Sequence, residues 1–389
     1  MAHAVALAPQ ATPARPLAVV RLGLRDFRNY ARLALETGGG PVVLHGPNGA
    51  GKTNLLEAVS LLAPGRGLRQ ARLPDLDRSG GGPWSATALV EGRHGPVEAW
   101  TGRDPDGERR TVALDGQPSR SAQVLADLLS VIWLTPAMDR LFTDGAADRR
   151  RFLDRLVLAV DPEHARRVSL YERTLRERSV LLRSGQLRSD RADPAWLGAL
   201  ERRAAESGVA VAAARRELLA GIDGILERQA LPFPRPRLRL ADEIALGLDR
   251  QPAVEVERRL AAALAASRAE DAQTGGAAVG PHRADLEAFD RQTGEPARLA
   301  STGRQKAFLV SIVLAEAALH RTLHDDLPVL LLDEVAAHLD EARRRDLFAV
   351  LEDLGCQYWL TGTDRSTFAP LAGRARIFNV CEATLTADD

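Results

Sequence analysis

The chain has 389 residues, 45% of them apolar, and its 52 basic and 52 acidic side chains leave a formal net charge of zero. That length predicts two lobes with ample capacity for a buried core. Zero net charge excludes a uniformly basic coat but not a local basic face, and only 4% aromatic residues argues against stacking as the main mode of binding. Residues 1–16, rich in Ala and Pro, read as a disordered extension that lacks the charged and apolar regions of a signal peptide. No uninterrupted apolar run reaches the roughly 18 residues that would predict a membrane span. From Leu17 the apolar runs Ala18–Leu24, Ala31–Leu35 and Val42–Leu44 predict strands. The third enters a glycine-rich loop, and a helix is expected over Asn54–Leu62. Trp84–Val90, Val97–Trp100, Thr111–Leu114 and Val131–Leu134 are further strand candidates.

Residues 146–230 change character. Val168, Tyr171, Leu175 and Leu182, then Leu200, Ala204, Val211, Leu218, Ile222 and Ile225, recur at helical spacing, which predicts antiparallel helices with a turn near 185–194. Leu231–Pro236 ends that run, Ala253–Ser267 resumes it, and 274–279 reads as a flexible return. A helix over Gly303–Leu323, a buried strand at Val329–Leu332, a helix over Glu341–Leu354 and strands at Tyr358–Leu360 and Arg376–Val380 complete the chain. The expected organisation is an extension (1–16), a first α/β part (17–145), a helical lobe (146–273) and a second α/β part (274–389). Cys356 and Cys381 form neither a metal-ligand spacing nor a disulfide framework, which fits a reduced cytosolic compartment.

Three motifs carry chemistry, and two of them hold the only two lysines of a chain with fifty arginines. Gly46-Pro47-Asn48-Gly49-Ala50-Gly51-Lys52-Thr53 matches the G-x-x-x-x-G-K-[ST] phosphate loop, in the strand–loop–helix context that motif requires. Its backbone N–H groups form an anion nest at a helix N-terminus. Lys52 is expected on the β- and γ-phosphates of ATP, with Thr53 giving its hydroxyl oxygen to Mg²⁺. A compact ammonium suits that cradle where a guanidinium fork would crowd it. About 280 residues later, Asp333 ends the Val329–Leu332 run, where a carboxylate can help hold Mg²⁺. Glu334 follows it and can polarise an attacking water, so Glu334 and Lys52 are the candidate catalytic residues. The second lysine lies in Ser301-Thr302-Gly303-Arg304-Gln305-Lys306, which opens a helix with Ser301 as N-cap. Its place, one helix upstream of the acidic strand, looks like the signature of ATPases that dimerise head to tail. Ser301, Gly303 and Gln305 would then face the γ-phosphate held by the other subunit. Arginine clusters at 149–151 with Arg155, at Arg235/Arg237/Arg239 and at 343–345 are candidate phosphodiester contacts.

With these motifs in order, the sequence resembles the RecF family of bacterial recombination mediators over about residues 18–383. The likeness includes Leu24-Arg25-Asp26-Phe27-Arg28-Asn29-Tyr30, Arg149-Arg150-Arg151-Phe152-Leu153-Asp154-Arg155, Gly280-Pro281-His282-Arg283-Ala284-Asp285-Leu286 and Leu332-Asp333-Glu334-Val335-Ala336-Ala337-His338-Leu339-Asp340. That family is similar to the heads of SMC and double-strand-break repair ATPases without their long coiled coil. The resemblance implies an α/β fold, an ABC-type P-loop ATPase lobe with an inserted helical lobe. It implies ATP-dependent homodimerisation, slow hydrolysis and binding of gapped DNA or single-strand/double-strand junctions. It further implies work with RecO and RecR in loading RecA, a link to replication and the SOS response, and a cytoplasmic, nucleoid-associated location. Asp340 corresponds to the acid of the family's dimer loop.

The chain departs from transporter ATPases. Aligned on Ser301, it carries Thr302 and Arg304 where Leu-Ser-Gly-Gly-Gln has Gly and Gln. No clear glutamine loop is found, Trp133-Leu134-Thr135-Pro136 standing in the expected region, and the late switch falls in Thr361-Gly362-Thr363-Asp364. A transporter ATPase subunit is the competing reading, against which the altered signature and the long split of the core both count. A non-hydrolysing structural DNA-binding protein is the third, against which Glu334 counts.

Overall fold

The computed structural model describes residues 15–107, 109–119, 121–187, 193–229 and 231–388. Residues 1–14 of the extension and 188–192 of the expected 185–194 turn lie outside them. Strands Val42–His45, Val131–Leu134, Val329–Leu332 and Tyr358–Gly362 are buried at every residue. Such uninterrupted apolar strands belong in a parallel sheet covered on both faces. They do form one, in the order Thr384–Ala387, Arg376–Cys381, Val42–His45, Tyr358–Gly362, Val329–Leu332, Val131–Leu134, with only Thr384–Ala387 running antiparallel. The register sets Leu332 beside Leu134 and Leu360, and Gly362 beside His45. The phosphate loop, Asp333 and Thr135 therefore all emerge at one edge, the crevice beyond the carboxyl ends of the strands where ligands bind in α/β sheets.

A second six-stranded sheet is antiparallel, in the order Tyr30–Glu36, Ala18–Phe27, Ser85–Gly92, Gly95–Arg103, Arg110–Leu114, Gln117–Ser119. Its strands alternate buried and exposed positions, as a one-sided sheet must. Helix α1 (Lys52–Ser60) lies between the sheets, where Leu55, Leu56 and Val59 share one apolar cluster with Leu22, Leu24, Trp84 and Trp359.

The helical lobe comprises α2 (Ala146–Val160), α3 (His164–Leu187), α4 (Pro194–Arg228), α5 (Glu243–Leu248), α6 (Ala253–Ala266) and α7 (Arg268–Thr274). Helix α4, 35 residues long, spans about 50 Å at 1.5 Å per residue. Arg178 on α3 is buried, bonded to Glu201 of α4 at 3.1 Å and Asp271 of α7 at 2.7 Å, so one guanidinium ties three helices together.

The sequence reading missed a two-stranded ribbon, Pro236–Ala241 against Asp285–Asp290. The Pro-rich approach at 232–236 looks like a breaker, yet the residues after it alternate, and Leu238 is buried with Leu286 and Ala288. The ribbon joins stretches on either side of the expected 273/274 boundary. The 274–279 return is held rather than loose: Ser179 Oγ donates to the Gly275 carbonyl at 2.9 Å and the Ala278 N–H to Asp271 at 2.8 Å.

Helix α8 (Thr302–His324) runs through the core that links both lobes, packed against α4, and α9 (Glu341–Leu354) follows the acidic strand. Helix α8 alone among the described residues is long and apolar enough to cross a membrane, and 78% of its apolar window is buried inside the protein. That makes it a core helix.

Candidate functional site

The phosphate loop runs from His45 to the first turn of α1. Gly46 has φ 138°, and a Cβ there would stand 2.2 Å from the Val380 carbonyl oxygen; Gly51 has φ 117°, and a Cβ would stand 2.6 Å from the Tyr30 hydroxyl. No side chain fits at either place. The hairpin tip in front of the loop braces it: Asn29 Nδ2 donates to the Ala50 carbonyl at 3.0 Å, and Asn54 Nδ2 to Asn29 Oδ1 at 2.8 Å. Lys52, 5% exposed, donates from Nζ to the carbonyls of Gly46 at 2.7 Å and Pro47 at 2.9 Å. Burial lowers its pKa below the ordinary lysine value, opposed by the charges of Glu334 and Asp333.

Thr53 and Asp333 meet. The Thr53 hydroxyl lies 3.0 Å from both carboxylate oxygens of Asp333. A hydroxyl and a carboxylate are the hard oxygen donors Mg²⁺ takes, leaving its other positions to water and phosphate. Thr361, wholly buried, donates from Oγ1 to Asp333 Oδ1 at 2.7 Å and accepts from the Glu334 N–H at 2.9 Å. Glu334 sits at φ 52°, a left-handed conformation that is costly for a side-chain-bearing residue. Glu334 borders two cavities. One of about 150 Å³ is lined by Asn48, Gly49, Lys52, Thr53 and Arg69; the other, of about 600 Å³, by Thr53, Gln70, Thr135, Met138 and Asp333.

Three participants escaped the sequence reading. Thr361 stands in the stretch assigned to the switch, but its two bonds to the acidic pair were not foreseen. Arg69 is the second: it donates to Asn54 and Glu57 at 2.7 and 2.8 Å and lines the loop cavity. The nearly buried Glu57 of α1 also holds Arg28 at 2.8 and 2.7 Å. Lys306 is the third: its Nζ lies 3.4 Å from the Glu334 carbonyl oxygen and 3.6 Å from Asp139.

The family model described as the RecF/RecN/SMC N-terminal domain matches residues 18–384. The DNA replication and repair protein RecF of Mesorhizobium japonicum is 48% identical over 373 residues, covering 94% of this chain and 97% of the relative. The RecF of Rhizobium leguminosarum bv. trifolii is 47% identical over 370 residues, with 94% and 97% covered. The chain belongs to the RecF family. In fold it is similar to the recombination mediator protein RecF solved with ATP, at a TM-score of 0.83 and 21% identity over 97% of this chain and 99% of that one. An SMC head bound to the C-terminal winged-helix domain of ScpA gives 0.54 at 15% identity, covering 95% and 97%. The α/β ABC-type ATPase lobe with a helical insertion, expected from the sequence, is thus the fold of a RecF-family chain.

Within that RecF frame the signature residues divide. Ser301 and Gly303 are exposed, and neither lines the two cavities around the phosphate loop. The Ser301 hydroxyl accepts from the Arg304 N–H at 3.4 Å, as the N-cap of α8. Gln305, expected to face a partner's phosphate, points into its own subunit. It is 4% exposed, and its amide donates to the Ala300 carbonyl at 2.8 Å, because the helical turn carries it inward. Asp340 is exposed and caps α9, accepting from the Arg343 N–H at 2.8 Å.

The arginine clusters are mostly committed to the fold. Arg149 is bidentate on Asp285 at 2.7 and 2.8 Å, Arg150 donates to the Ala284 carbonyl at 2.7 Å, and Arg151 pairs with Asp148. Arg155 stacks on Trp133 and Phe152 at 4.8 and 4.9 Å, and burial pulls its pKa down to about 10. Arg235 donates to the Gln229 carbonyl at 3.0 Å and Arg239 pairs with Glu287. On α9, Arg343 and Arg345 stay exposed.

Proposed function

We propose that this RecF-family chain is an ATP-hydrolysing, ATP-dimerised DNA-binding protein of recombinational repair. It would close on gapped DNA and, with RecO and RecR, help load RecA, in support of replication and the SOS response, in the cytoplasm at the nucleoid. One observation carries the reading. Lys52, Thr53, Asp333 and Glu334 converge at one sheet edge, while Ser301 and Gly303 stand exposed elsewhere, so a complete site needs a second copy. Lys52 exchanges the Gly46 and Pro47 carbonyls for β- and γ-phosphate oxygens when ATP enters. Thr53 and Asp333 would hold Mg²⁺, which would supply positive charge beside the phosphates. Glu334 orients a water and accepts its proton, and Ser301 with the Gly303 N–H reaches the γ-phosphate across the dimer. The name RecF on relatives near 47% identity supports the repair role.

The test is sedimentation of the parent and of Glu334→Gln, with and without ATP and a gapped duplex. Glu334→Gln should bind ATP, turn it over far more slowly and persist as a dimer on DNA. Binding of the parent should also steepen with ATP in its salt dependence, since each further phosphate neutralised adds roughly −0.9 to the slope of log affinity on log salt. Equal slopes and affinities with and without ATP would leave only monomeric binding.

A further inference from the structure

Lys306 belongs by sequence to the motif offered to the partner, yet it points the other way. Five residues beyond the exposed Ser301 cap, it lies about 140° further round α8 at 3.6 residues per turn. It is 5% exposed and reaches into its own subunit. There its ammonium meets the Glu334 carbonyl oxygen at 3.4 Å and the Asp139 carboxylate at 3.6 Å. Asp139 follows the Pro136–Met138 turn that leaves strand Val131–Leu134; its Oδ2 faces the ammonium, while its Oδ1 is buried without a hydrogen-bond partner. One cation thus joins the signature helix, the acidic strand end and the neighbouring strand end.

The Glu334 backbone is therefore held on both sides of its Cα, its N–H by Thr361 and its carbonyl by Lys306. A left-handed φ at a residue other than glycine costs about 1–2 kcal/mol and persists only where neighbours hold it. In a chain that writes fifty of its 52 basic residues as Arg, a lysine here marks a slot for a compact three-donor ammonium.

We infer that Lys306 is a positioning residue that couples the two nucleotide sites of the dimer: it sets Glu334 of its own subunit according to whether its own signature helix has engaged the partner's nucleotide. The inference rests on the proposed head-to-tail ATPase. When Ser301 docks on the partner's γ-phosphate, α8 is held, and Lys306 fixes the Glu334 carbonyl and so the direction of its carboxylate. Each site then hydrolyses well only when the sister site is filled, and the coupling is one free energy shared by both.

Mixed dimers separate this from a direct contact with the partner's phosphate. A large excess of Glu334→Gln chain, which keeps ATP but is silent, is added to a limiting active chain. Turnover then comes only from the active chain's Glu334, completed by the silent chain's signature. Lys306→Met on the active chain should lower kcat about tenfold, the scale of one charge-assisted hydrogen bond, with KM for ATP moved less than about twofold. On the silent chain it should lower kcat less than about twofold. Lys306→Gln, which keeps an N–H donor for the carbonyl, should recover most of the loss. Equal loss from either placement overturns the coupling, as does a loss confined to the silent chain or a tenfold rise in KM. A Lys306→Met chain that no longer melts cooperatively, with a Lys306→Gln chain that folds and stays equally slow, also overturns it. Parental turnover by Glu334→Gln homodimers would fail earlier, and would remove the proposed function as well.

Discussion

Thr361→Val removes one oxygen from the site and almost no volume. The Thr361 side chain is wholly buried, and its hydroxyl makes two bonds, to Asp333 Oδ1 at 2.7 Å and from the Glu334 N–H at 2.9 Å. Loss of a hydrogen bond to a charged group costs about 1.5–3 kcal/mol, and a buried N–H left unpaired about 1–3 kcal/mol. The two share one hydroxyl, so the expected destabilisation is about 2–4 kcal/mol rather than their full sum. The catalytic effect should be larger than the stability effect suggests. Without its N–H anchor, the left-handed Glu334 relaxes, and a displacement of about 1 Å in a catalytic group costs about a hundredfold. ATP turnover should fall between about tenfold and a hundredfold, while nucleotide affinity, set by the loop and Lys52, changes little. Steady-state hydrolysis, equilibrium nucleotide titration and a denaturant midpoint measure the three quantities. Thr361→Ser restores the hydroxyl and should restore turnover. A Thr361→Val chain with parental kcat would refute the claim that this bond sets Glu334.

Lys52→Arg should weaken ATP-driven dimerisation and DNA retention, because the guanidinium fork does not fit between the Gly46 and Pro47 carbonyls; parental behaviour in sedimentation would remove Lys52 from the phosphate cradle. Ser301→Arg should abolish ATP-driven dimerisation and spare monomer ATP binding; equal loss of both would place Ser301 in its own subunit's site or in the fold. Gln305→Ala should cost about 1 kcal/mol or somewhat more in a denaturant titration, through the unpaired Ala300 carbonyl; no change in midpoint would return Gln305 to the surface. Acid should destabilise the protein through His320, whose pKa burial, then the adjacent His324, bring from 6.5 down to about 3. Its ring stacks on His324 and faces Asp326, which Arg93 pairs. The unfolded chain takes up the proton first, so this contribution is full above pH 6.5 and is lost as pH falls toward 3. It amounts to about 2 kcal/mol by pH 5. Thermal melts from pH 7.5 to 5 should show a shallower loss in His320→Gln, and parallel curves would acquit His320.

The site was largely legible because its chemistry is local. A phosphate loop needs glycine at fixed spacing and a lysine at its end, and Asp333 announces itself by following four apolar residues. The helical insertion was legible for the same reason, since side-chain spacing at 3.6 residues reports a buried face. The Pro236–Ala241 strand was not, because short strands are stabilised by a distant partner, here Asp285–Asp290, and the prolines before it signalled a break. The packing of some arginines in the clusters was illegible for the same reason. Composition cannot tell Arg149, bidentate on Asp285 over a hundred residues away, from a guanidinium left free for phosphate.

By itself the sequence determined the phosphate loop, the acidic end of strand Val329–Leu332 and the division into a split α/β core and a helical lobe, because these rest on residues adjacent in the chain or in one helical repeat. Only the tertiary structure decided which side of α8 each signature residue occupies. Ser301 and Gly303 face out and Gln305 and Lys306 face in, because the packing of α8 against α4 and strand Val131–Leu134 sets its rotation, and nothing within the motif does. The same holds for Thr361. Its place on Asp333 and Glu334 comes from the register of two parallel strands 28 residues apart along the chain, a relation that hydrogen bonds between strands create and that no local pattern records.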